Sequence, residues 1–106
     1  MAKNLPFTVF HRSGGSVEYN FPLHPETQSP TDVHNVLAHL MDGLTFLLDN
    51  KKMSNGDVLQ AITMLLSMRA DMVDVDKDTM RSLIEQMIAS NMAATHAAVH
   101  GQASRA

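Results

Sequence analysis

Residues 74–85 read DVDKDTMRSLIE, with Asp74, Asp76 and Asp78 at alternating positions and Glu85 eleven residues after the first. Carboxylates at this spacing can supply ligands one, three, five and twelve of a loop wrapped around a calcium ion. Two further groups could hold a softer ion. His96 and His100 stand four apart, which puts two imidazoles on one face if the segment is helical. Met64, Met68 and Met72 form an i, i+4, i+8 row of thioethers, the ligand type that suits Cu(I).

Each motif has a plainer explanation. The acidic spacing resembles an EF-hand loop, but only at its carboxylates. The sixth position of such a loop needs glycine for its sharp turn, and Thr79 stands there, a β-branched residue for which a left-handed backbone is costly. Arg81 occupies the eighth position, normally apolar, and the periodicity wants Met80 already in helix. The same residues make a capped turn, with Asp76 or Asp78 as the N-cap of a following helix. His96 and His100 lack the glutamate of HExxH, since Ala97 follows the first histidine, and a third ligand would have to come from His11, His24, His34 or His39. Solvated positions in a fraying helix end explain this pair as well. The methionines are better read as apolar surface, because flexible thioether side chains suit adaptable contact faces. Ala61, Met64 and Met68 lie beside the main stripe of their helix rather than on it, and with Met72 they define the expected interaction surface.

The composition narrows the class. The chain has 106 residues, 44% hydrophobic and 18% charged, which places it among folded domains. It has no cysteine, which removes thiol nucleophiles and zinc–thiolate sites. The formal charge is −3 and the basic residues are scattered, so nucleic acid is not the expected partner. No apolar run has the length of a membrane span, and the N-terminal residues do not read as a signal peptide, so a cytoplasmic protein without a membrane partner is expected. Phosphate-binding glycine motifs and the GxSxG elbow are missing, and no cofactor is expected.

The elements follow from pattern. Residues 6–23 predict a β-hairpin. A three-residue loop, Ser13-Gly14-Gly15, would pair Phe7 with Phe21, Val9 with Tyr19 and His11 with Val17, leaving Phe10 on the polar face. Residues 24–29 form a proline-bounded connector. A first helix over 30–50 has Ser29 as N-cap, Pro30 in its first turn and an apolar stripe of Val33, Val36, Leu37, Leu40, Met41, Leu44, Leu47 and Leu48. Gly43 inside it points to a close helix crossing. A second helix over 54–74, capped by Ser54, carries Val58, Ile62, Leu65, Leu66, Met72 and Val73 as its core stripe, so it is apolar around more than half its circumference. A third over 77–99 turns Met80, Leu83, Ile84, Met87 and Ile88 inward and stops at Gly101. Residues 101–106 read as a loose tail after a single domain of residues 1–100.

The fold class is therefore α+β, an N-terminal β-hairpin followed by three amphipathic helices. A lone hairpin is marginal in water and the second helix has more apolar surface than one neighbour covers, so a homodimer is expected. The function expected is that of a small non-enzymatic subunit or adaptor, engaging its own copy or another protein through the Met-rich face. The alternative is a metal- or small-ligand-binding protein using His96/His100 or the Asp74–Glu85 segment.

Overall fold

Alternating apolar and polar side chains near the N-terminus produce two antiparallel strands, β1 (Asn4–Phe10) and β2 (Ser16–Pro22). The computed structural model describes residues 3–11 and 14–101. Leu5 lies opposite Phe21, Phe7 opposite Tyr19, and Val9 opposite Val17. The expected hairpin and its apolar face are both present, but the register is two residues away from the expected one. A two-residue slip returns every side chain to its own face, so the hydrophobic pattern cannot detect it. The turn decides instead. His11 N–H donates to the Gly15 carbonyl at 2.7 Å and Gly14 N–H to the His11 carbonyl at 2.9 Å. Gly14 takes φ 103°, a left-handed value that an L side chain resists. The turn is therefore closed by His11 and Gly15, one residue earlier than expected; Ser13, expected within it, lies outside the described residues. The gain is apolar: Val9 replaces His11 opposite Val17, and Leu5 enters the ladder.

A third strand, β3 (Val99–Gly101), pairs antiparallel with β2, giving the order β1-β2-β3. This corrects the expected helix over 77–99 and the role given to Gly101. The helix stops at His96, with Ala98 N–H reaching only back to the Thr95 carbonyl in a tightened last turn. Val99, His100 and Gly101 then sit opposite Glu18, Val17 and Ser16. Gly101 is thus part of a strand rather than the end of a helix; a Cβ there would meet the Ser16 hydroxyl at 2.6 Å, a contact that rotation of that side chain relieves. Residues 102–106 of the expected tail lie outside the described residues.

The Lys3–Leu23 and His11–Gly15 backbone bonds fix which groups point inward. Odd-numbered residues of β1 bond to β2, and the even-numbered ones face the outer edge. Pro6 therefore sits where its missing N–H breaks no ladder bond, a usual guard on an edge strand.

Three helices follow: α1 (Pro30–Asn50), α2 (Asn55–Asp71) and α3 (Lys77–His96). Their starts are capped as the sequence predicts. Ser29 Oγ accepts from Asp32 N–H and Ser54 Oγ from Asp57 N–H, each at 3.1 Å. Asp76 Oδ2 accepts from the Thr79 N–H at 3.1 Å and from its hydroxyl at 3.3 Å. Each cap satisfies a donor that a helix start leaves unpaired. α2 ends three residues short of its expected limit, leaving Met72 as its C-cap and Val73 beyond it.

The chain divides into two units, Met1–His34 with Ile84–Ala106, and Asn35–Leu83. In the first, the inward face of the sheet holds Leu5 (8% exposed) and Val17 (4%), the only buried hydrophobic residues among those described. The Phe7 and His34 rings meet at 5.6 Å between centroids, and Tyr19 stacks on Phe21. The second unit contains no buried residue among those described. Of the stripes expected to form a core, Leu37, Met41, Leu44, Val58, Met80 and Leu83 are half-covered. Val36, Leu40, Leu47, Leu48, Ile62, Leu65, Leu66, Met72 and Val73 are exposed, as are Val33, Met87 and Ile88 of the first unit. Gly43 marks no close crossing among the described residues, since a Cβ there would meet nothing within 4 Å. No described helix is long and apolar enough to cross a membrane.

Candidate interaction surface

α2 begins at the Ser54 cap and runs without glycine or proline beyond Gly56, so its side chains keep a regular 100° step. On that step Leu59, Leu66, Ile62, Val58, Leu65, Ala61, Met68 and Met64 fall within one arc of about 220°. Asn55, Asp57 and Arg69 share it. The remaining arc holds Gln60, Thr63 and Ser67, whose hydroxyls turn back on the helix. Thr63 donates to the Gln60 carbonyl and Ser67 to the Thr63 carbonyl, both at 2.8 Å, as on a solvated face.

The apolar arc is open along its length. Met64 is 53% exposed, Met68 56% and Met72 71%, and Ala61 is also exposed. Met72 has one polar neighbour, Arg69 Nη1 at 3.8 Å from its sulfur. The stripe assigned to a core is exposed too, with Ile62, Leu65 and Leu66 on the surface beside the methionines. The sequence placed these residue types on one face; it could not show that the face would be exposed. What such an arrangement can do is contact, since long flexible thioethers among branched aliphatics make an adaptable apolar surface.

The ligand-type residues have a different fate. Asp76 is taken up in capping α3, and Asp78 and Glu85 follow within that helix. Asp74 lies in the turn before it. His96 ends α3 whereas His100 lies in β3, so the two imidazoles do not share a helix face. Among the described residues no three His, Asp or Glu side chains come together in a way that could hold a metal ion. A shallow recess of about 520 Å³ lies beside the sheet, lined by Pro6, Thr8, Glu18, Asn20, Ala94 and Val99 among others. Glu18 is its only carboxylate and is exposed, and the half-buried Tyr19 also lines it.

No protein-family model matches the chain, and neither a curated protein nor a solved structure does. The reading of this surface rests on its own chemistry.

Proposed function

We propose that the protein is a small, non-enzymatic interaction subunit that works as a twofold homodimer in the cytoplasm. The dimer is closed by the apolar helix surfaces, with Met64, Met68, Met72 and Ala61 in the contact. One observation supports this reading above the others: all three helices carry aliphatic stripes, and none of them has a buried residue. Helices of 17 to 21 residues gain little from hydrogen bonding alone in water, and their stability comes from packing an apolar face. A second chain would supply that packing. A second copy is the simplest source, because homo-oligomers with a twofold axis are the commonest assemblies.

Oxidation mapping tests the assignment of the methionines. Under mild peroxide treatment of the concentrated protein, Met64 and Met68 are expected to convert to sulfoxide more slowly than free methionine, and to lose that protection on dilution. Oxidation of both at the rate of free methionine at every concentration would remove α2 from the contact. The products are read by peptide mass spectrometry.

A further inference from the structure

α1 carries a second open seam, narrower than that of α2 and more informative about geometry. Val33, Val36, Leu40, Gly43, Leu47 and Asn50 recur at steps of three, four, three, four and three, the spacing of the contact positions of a coiled coil. All six are exposed, whereas Leu37, Met41 and Leu44 on the adjoining side are half-covered. Gly43 stands in the middle of this seam. A glycine inside a helix is unfavourable relative to alanine, and here nothing local requires it. Its φ is not positive, and a side chain would meet nothing within 4 Å. Close approach by a second chain would make use of that open position.

We infer that α1 packs antiparallel against α1 of a second copy, with Leu40 of each chain seated over the partner's Gly43. The inference rests on the homodimer proposed above and specifies where its twofold axis passes. With the axis crossing the helix pair between Met41 and Asp42, each layer joins a first to a fourth heptad position, the pairing that antiparallel coils use. Leu40 then meets the partner's Gly43 twice, Val36 meets the partner's Leu47 twice, and Val33 lies at the level of the partner's Asn50. Large side chains face small ones at the centre, and the seam is used over its full length.

Charge favours the same orientation. α1 contains Asp32, Asp42 and Asp49 and no lysine or arginine, while Lys51 and Lys52 follow its last turn. A parallel pair would set each aspartate beside its own copy and align like ends of the two helix dipoles. The antiparallel pair brings Asp32 to the level of the partner's Lys51, and joins dipole ends of opposite sign. Asp42 and Asp49 point away from the seam, so the contact buries no carboxylate.

Gly43→Leu tests the seam. Leucine favours helix and has open space in the single chain, so helix content at high concentration should not fall on that account. In the dimer it overfills two symmetry-related holes, and the dissociation constant should rise by roughly a hundredfold or more. Association is read by light scattering across a dilution series. A wild-type dimer with an unchanged dissociation constant in the variant overturns the seam and leaves the homodimer standing. A wild-type chain that stays single at all concentrations overturns both. Cross-linking covers the case in which the variant misfolds, because the chain has no cysteine of its own. Chains carrying Leu40→Cys are mixed with chains carrying Gly43→Cys and oxidised. A disulfide forming preferentially between unlike chains supports the seam. No such bond, or no preference for unlike chains, in a sample of two-chain mass overturns it.

Discussion

Replacing Met64 and Met68 together with glutamate is expected to leave only single chains at any practical concentration. Burying a fully exposed methionine side chain contributes about 1.5–3 kcal/mol. Met64 and Met68 are 53% and 56% exposed, so a partner can cover about half of each, and the four in a twofold contact contribute about 3–6 kcal/mol. A dissociation constant between about 1 μM and 1 nM corresponds to about 8–12 kcal/mol, and four carboxylates forced into the same contact add a desolvation cost large enough to remove the rest. The substitution should therefore abolish association rather than weaken it. Gln60→Glu with Ser67→Glu supplies the control, since it adds the same charge to the polar arc of the same helix. Light scattering on a size-exclusion column reads both. If the Met64/Met68 variant keeps the mass of the wild-type assembly, the methionine row is not the contact.

The second large effect is on folding itself. Dilution is expected to remove most of the helical circular dichroism, and to lower the melting temperature steadily as the protein concentration falls. The reason lies in where the buried residues are. Leu5 and Val17 belong to the sheet, while the helices contain none. Without a partner, α1 and α2 depend on their caps and on helix propensity. A good cap contributes about 1 kcal/mol and nucleation opposes it, which leaves helices of this length marginal. Spectra and melting temperatures that stay constant over a thousandfold dilution would show that the helices stand without a second chain.

Local chemistry was the most legible part of the sequence. Ser29, Ser54 and Asp76 can each be picked out as caps, because capping needs only an oxygen placed shortly before a run of helical periodicity. Asp76, one of the four residues at calcium-like spacing with Asp74, Asp78 and Glu85, is the one that caps α3, through the Thr79 amide. Alternation gave the inward face of the hairpin, including Phe10 on its outer side, where it is 79% exposed.

What the sequence hid depended on distant partners. The strand register was invisible because a slip of two residues preserves both faces, and the alternatives are separated by the turn, through the His11–Gly15 bond and the conformation of Gly14. β3 was hidden by its surroundings. Ala93, Ala94, Ala97 and Ala98 favour helix, and the pull of the open β2 edge on Val99–Gly101 comes from residues more than eighty positions away in sequence. That one strand also separates His100 from His96. The candidate surface was half legible. Helical spacing identifies Met64, Met68 and Met72 as neighbours, but it describes a face without saying what covers it. Ile62, Leu65 and Leu66 carry the pattern of a core and lie open all the same.

The central claim is that the apolar faces of the helices are covered by a second copy of this chain. Sedimentation equilibrium on the untagged protein tests it most directly, because the mass obtained is independent of shape. At tens to hundreds of micromolar the measured mass should be about twice the 11.7 kDa of one chain. A mass of one chain throughout that range, with the helical spectrum intact, would contradict the account.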